Sequence, residues 1–302
     1  MRRERGLAAI TAILIVAVAA TAATMMLAQQ AAVLDQTMLV VSRAQADLYA
    51  RAGLDWARGT ILEDSQVSGA FDSLGEAWAK PIVGLPVDRA VVSGAITDEQ
   101  GKFNLNNLVK GTQKSPEDMV IFQQLLASQG LAPELADAVL DWIDPDDTVS
   151  GAGAEDAYYL SLKKPYRTAN TPMIQIEELY RVRGFDAATV AKLRPFVTAL
   201  PEHTAVNVNT APEQLLDVVL REVSRDKIAQ FVKVRRDKPS TSTQDVTKWT
   251  GVVIAEDRVN VKSTYFSVLV RVSQDDVELA TDALLARAPS GPPAIIWRRP
   301  RY

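Results

Sequence analysis

The chain carries no charged residue from position 7 to position 28, directly after Arg2, Arg3, Glu4, Arg5 and Gly6. An apolar stretch of roughly 20 residues is long enough to cross the hydrocarbon core of a bilayer as a helix. Nothing else in the sequence constrains the fold as strongly, because in lipid the backbone must satisfy its own polar groups. The flanks add a direction. Three arginines precede the run, and the next basic residue is Arg43. By the positive-inside rule the N-terminus stays cytoplasmic and everything beyond the helix is exported.

Three readings suit such a segment. A cleaved secretory signal has a basic start, an apolar centre and a small-residue exit. Ala20, Thr21 and Ala22 offer that exit, but the apolar run continues through Met25, Met26 and Leu27. A plain single-pass anchor is the second. The third is a type IV prepilin leader, whose cleavage site Arg5, Gly6 and Leu7 resemble. There a peptidase cuts on the cytoplasmic side, after the Gly, and the helix is kept. The helical composition also continues to Gly59, with Asp35 as the one candidate break. Leu48, Ala52 and Trp56 recur at i, i+4 and i+8 and predict an apolar face for packing on a globular body. Residues 7–59 therefore read as one long helix, its first half in lipid.

The exported remainder has 47% hydrophobic and 23% charged residues over the chain, a globular balance. Net charge is −4, and loss of residues 1–6 would make it more negative, which offers nucleic acid no electrostatic platform. There is no Cys, so no disulfide framework, and a small exported domain then needs another staple, such as a metal. The single His, His203, leaves zinc sites and Cys–His catalysis almost nothing to work with. No nucleophile motif accompanies His203, so no enzyme activity is expected.

Alternation predicts a strand over 89–98, a turn at 98–101 and a returning strand over 102–106. From 117 to 200 the pattern is helical, with a helix pair over 174–182 and 187–200. Thr210, Ala211, Pro212 and Glu213 form a helix start that opens 213–222. Helices follow over 225–236 and 245–249. The period then becomes strand-like over 257–272 and 277–287, and the Pro-rich tail from 289 reads as extended and mobile. A faint repeat runs through this. Phe103, Asn104, Leu105, Asn106, Asn107 and Leu108 precede the first helical block. Val206, Asn207, Val208, Asn209, Thr210 and Ala211 precede the second. Asn at such junctions caps amides and fixes turns.

The strongest chemical cluster lies between Asp141 and Asp156, with six carboxylates around a Gly-bearing loop. Counted from Asp144, Asp146 falls at position 3, Thr148 at 5 and Glu155 at 12, near the register of an EF-hand loop. Val149 stands where that loop needs its turn-forming Gly, so an EF-hand is not assigned. Oxygen-only ligands favour a hard cation, and calcium tolerates an irregular cage. Asp144, Asp146, Asp147, Glu155 and Asp156 are the candidate ligands, with a solvated acidic loop as the alternative. A second segment, 176–193, resembles a helix-hairpin-helix unit. Only Gly184 of its usual glycines is present and Asp186 stands in the other place, so it reads as architecture without a phosphate grip.

These pieces together resemble the protein K family of type II secretion minor pseudopilins. The resemblance is carried by Arg5, Gly6 and Leu7 with the apolar helix, by the two Asn runs, and by Asp141, Trp142, Ile143 and Asp144. It also rests on residues 154–160, on Pro165, Tyr166 and Arg167, and on Glu178, Leu179, Arg183 and Gly184. Thr11 occupies the fifth position after the expected cut, where most pilins carry Glu and this family usually does not. The resemblance implies an α+β, type IV pilin-like fold with a large inserted helical domain and calcium within it. It implies a tip complex with minor pseudopilins I and J and other pseudopilins, processing by prepilin peptidase, an inner-membrane anchor and a periplasmic body. The chain then divides into a leader (1–6), a long helix (7–59) and a first sheet part (60–108). A helical insert (109–205), a second helical block (206–256), closing strands (257–287) and a mobile tail (288–302) follow. An inner-membrane-anchored periplasmic enzyme, or a DNA-uptake pseudopilin, is the alternative.

Overall fold

The computed structural model describes residues 2–67 and 69–301, with side chains from Ile10 onward. Helix α1, Arg2–Val67, contains no proline and runs unbroken through Asp35 and past Gly59. Gly59 faces open space. A helical Gly costs about 1 kcal/mol against Ala, and complete burial of Ile61 two residues on offsets that. The helix therefore ends eight residues beyond the expected 59. Its apolar window has a mean hydropathy of 2.3 and none of it is buried in protein. Gly6 and Leu7 lie in this helix but outside the residues whose side chains are described.

The face that packs is not the predicted one. Ala46, Ala50, Leu54, Ala57 and Ile61 are buried, whereas Leu48 is 62% and Trp56 49% exposed. Small residues win because they let the helix lie close. A Cβ on Gly53 would stand 2.9 Å from Val270 Cγ1.

Beneath α1 lies a five-stranded sheet. Strands β1 (Ile82–Val87) and β2 (Ala90–Asp98) form a hairpin. The chain then leaves and returns as β9 (Tyr265–Gln274), β10 (Val277–Ala286) and β11 (Ala294–Arg301), in the order β1-β2-β9-β10-β11 with antiparallel neighbours. Phe266, Val268, Val270 and Val272 point inward from β9, and Trp78 meets Phe266 edge-on at 5.2 Å. Two expectations fail here. Asp98 turns the chain into a 3-10 turn, Glu99–Gly101, so residues 102–106 do not return beside β2. The tail is not loose, because β11 pairs with β10 and Arg298 reaches Asp47 of α1. Its signal was short, and Pro300 is tolerated only because β11 is an edge strand.

Residues 99–264 form the insert, which starts earlier and ends later than the expected blocks. The first unit holds β3 (Phe103–Asn104), β4 (Val109–Lys110), β5 (Gln113–Lys114), α2 (Pro116–Ser128), α3 (Leu135–Ile143), α4 (Asp156–Leu160), α5 (Ala187–Leu193) and β6 (Val197–Thr198). The second holds β7 (Val206–Asn207), α6 (Glu213–Val219), α7 (Arg225–Val234), α8 (Thr243–Thr250) and β8 (Val259–Asn260). The expected helix over 174–182 is a 3-10 turn, Ile176–Arg181, and the next helix stops at Leu193 so that β6 can form. Residues 259–260 belong to the second unit rather than to the sheet. Each unit closes on a parallel two-residue bridge, β3 with β6 and β7 with β8.

The Asn repeat explains both closures. Asn104 Oδ1 accepts from Asn106 N, and Asn207 Oδ1 accepts from Asn209 N. Asn106 then clamps Met173 through both its N–H and its C=O, and Asn209 clamps Ser240 the same way. All four Asn are buried, so each bond replaces water that the fold removes.

A buried polar hub joins insert and sheet. Arg287 grips Asp72 with both terminal nitrogens, at 2.8 and 2.9 Å, and Asp64 at 2.9 Å. Asp98 accepts from Asn207, Thr210 and Ser263. This hub sits at the C-terminal end of α1. At the other end of the β9–β10 hairpin, Asp275 accepts from Ser42. The insert therefore occupies the end of the sheet remote from the apolar half of α1.

Candidate metal centre

Helix α3 buries Ala136, Val139, Leu140 and Ile143, and so points Asp137 and Asp141 along one remaining face at i and i+4. Asp144 caps its C-terminus, its N–H donating to Leu140 O at 2.9 Å, and Pro145 prevents continuation. The chain loops out and returns at Glu155, the residue before α4.

Asp144, Asp146 and Glu155 each offer a carboxylate oxygen within 4.8 Å of the others. Asp144 is 7% and Glu155 3% exposed. Asp144 Oδ1 and both Glu155 carboxylate oxygens have no hydrogen-bond partner. Buried carboxylates without donors are costly. Burial, then Asp146 and Asp141, push the Asp144 carboxyl up to about 6. Burial, then Asp141 and Asp144, push Glu155 up to about 7. Orphaned acid oxygens converging from two sides are a donor set that a hard cation completes, and the residues present fit calcium.

Two expected ligands turn elsewhere. Asp147 Oδ1 accepts from Asn170 Nδ2 at 3.0 Å. Asp156 pairs with Arg167 at 2.9 Å and accepts from the Thr168 amide and hydroxyl at 3.0 Å. The sequence pointed to Arg167 without its partner Asp156, and its spacing missed Asn170 and the pairing of Asp137 with Asp141 on one helix face. Only the last left a signal, its i, i+4 spacing on the helix that leads into the loop.

In a second acidic trio, Asp64, Asp72 and Glu76, the Arg287 guanidinium already pairs with Asp64 and Asp72, while Glu76 accepts from Ser73 N and Trp78 Nε1. The single imidazole lies 3.5 Å from Asp118, and Ser115 donates to that same Asp118 instead of to the ring. A Ser–His–Asp relay needs the hydroxyl on the imidazole. Asp186 caps α5 by accepting from Thr189 N at 2.7 Å, while Gly184 takes φ +85°, so the hairpin is held internally.

An apolar helix laid on an antiparallel sheet, with a large helical insert at its far end, defines a pilin-like subunit with an inserted helical domain. A family profile described as type II secretion system (T2SS), protein K matches residues 101–202. The type II secretion system protein K of Pectobacterium carotovorum subsp. carotovorum is 32% identical over 94% of this chain and 92% of its own length. That of Pseudomonas aeruginosa is also 32% identical, over 96% and 91%. A chain in the crystal structure of the GspK–GspI–GspJ complex from the enterotoxigenic Escherichia coli Type 2 Secretion System has the same fold, with a TM-score of 0.78 at 23% identity, covering 88% of this chain and 99% of that one. The chain belongs to the type II secretion system protein K family.

Proposed function

We propose that this chain is the tip subunit of a pseudopilus, seated on minor pseudopilins of the I and J type, where it supports assembly and the export of folded proteins. The observation that carries this reading is the position of the insert. Residues 99–264 cap the sheet end remote from the membrane-crossing half of α1, where a further subunit would otherwise stack. The solved relative in complex with GspI and GspJ supports the choice of partners. A prepilin peptidase removes residues 1–6 by cutting between Gly6 and Leu7, and α1 stays in the inner membrane with the body in the periplasm. Calcium held by Asp144, Asp146 and Glu155 neutralises the acidic loop and fastens the first helical unit.

Labelling the chain on assembled fibres tests the tip assignment. Label at one fibre end is expected, and label spaced along the fibre overturns it. Mass spectrometry of the mature N-terminus is expected to read Leu7. A start near Gln29 would contradict processing of the prepilin type.

A further inference from the structure

We infer that Asp137 and Asp141 are positioning residues for the cation cage: they fasten the glycine loop to α3 so that Glu155 arrives opposite Asp144. The inference rests on the cation reading of that cage. Ser150 N donates to both Asp141 oxygens, at 3.0 and 3.2 Å. Ala152 N donates to Asp137 Oδ2 at 3.1 Å. One face of α3, one turn apart, thus holds both ends of the bend, while the same helix presents Asp144 at its C-terminus.

The glycines are shaped to this contact. Gly151 has φ +51°, and a Cβ there would lie 2.3 Å from Asp137 Oδ2. A Cβ on Gly153 would lie 2.1 Å from Asp141 Oδ2 and 2.8 Å from Asp137 O. On the outer side Arg183 Nη1 donates to Gly153 O at 3.0 Å, with its guanidinium 4.8 Å from the Tyr158 ring centre. The loop is therefore gripped from both sides just before Glu155, whose own oxygens are left unpartnered and buried. Asp141 is fully buried and both its oxygens face the Ser150 amide, which fixes its carboxylate against the loop rather than in the trio formed by Asp144, Asp146 and Glu155. Groups that orient a metal's ligands in this way typically govern affinity by about 10- to 100-fold.

The test is calcium titration of the full chain in detergent, with melting followed in calcium and in chelator. Asp141→Ala and Gly153→Ala are expected to weaken calcium about 10- to 100-fold. Both should lower the melting temperature more in calcium than in chelator. Asp141→Asn keeps an acceptor for the Ser150 amide and is expected to lose distinctly less than Asp141→Ala. Should Gly153→Ala fail to fold, Asp137→Ala at its partly exposed position carries the test. Equal loss of melting temperature in calcium and chelator would reduce the pair to general structure and overturn the inference. So would unchanged affinity, or Asn behaving like Ala. A wild-type chain that ignores calcium removes the cage reading as well. A wild-type chain that responds, with variants that match it, removes only this inference.

Discussion

The two helical units open with the same Asn pair and close with the same parallel bridge, yet only the first carries an acidic loop. Asn209 clamps a partner 31 residues on, and Asn106 one 67 residues on. The second unit spends its span on three capped or core-packed helices. The first spends the extra length on residues 144–175, which hold only the short α4 before Ile176. A longer span closed by the same clamp needs a further tie, because each added residue must be ordered at about 1–2 kcal/mol. In the proposed calcium-bound state the cage would supply that tie by joining the end of α3 to the start of α4.

Removing the cation should break the comparison most visibly. At a thousandfold excess over its dissociation constant, calcium is expected to stabilise the first unit by about 4 kcal/mol. Hydrogen exchange should report that gain in α3 and α4 and not in α7 or α8. Equal protection in both units would mean that the loop is no staple.

The opening Asn residues should differ next. Asn207→Ala strips donors from Asp98 and Ser263 and from Asp72 O, all buried, and is expected to cost about 3–4 kcal/mol by chemical denaturation. Asn104→Ala leaves only backbone groups of Asn106, Leu200 and Glu202 short, and should cost about 2 kcal/mol. Equal costs would deny the hub its special weight.

Acidity sharpens the contrast further. Folded-state values of about 6 for Asp144 and about 7 for Glu155 lie above those of the unfolded chain. Without calcium their contribution is present at acid pH and is lost as pH rises through 6 and 7. With calcium, protons compete, so affinity should fall about tenfold from pH 7 to pH 6. Burial holds Asp98 at about 6 too, but its loss has the same sign with or without calcium, so the difference between the two states isolates the cage. Calcium titrations across pH 5–8 read this directly, and a pH-independent affinity would place other groups around the ion.

The smallest effect is a control. Each unit has one side-chain-capped helix, α5 by Asp186 and α8 by Ser242. Asp186→Ala and Ser242→Ala should each cost about 1 kcal/mol by denaturation. A much larger loss at Asp186 would give the Gly184 hairpin a task beyond folding.

How much of this was legible varies with the range of the forces. The Asn pairs were legible because a side chain capping the amide two residues on is a local act. The acidic loop was legible in composition and in its five candidate carboxylates, and which three of them converge was not. Asn170 and Arg167 arrive from more than ten residues away and draw off Asp147 and Asp156. The strand β11 was hidden because a short apolar run after three prolines gains its order only from the free edge of β10.

By itself the sequence determined the membrane-length helix, the repeat of capping asparagines and the acidic character of one loop. Each follows from neighbours within a few positions, where periodicity, capping and charge act directly. Only the tertiary structure decided which face of α1 meets the sheet, which three carboxylates converge and that the tail is a strand. Those outcomes depend on close approach and desolvation between segments distant in the chain: Gly53 against Val270, Glu155 against Asp144, and Trp297 beside Leu284.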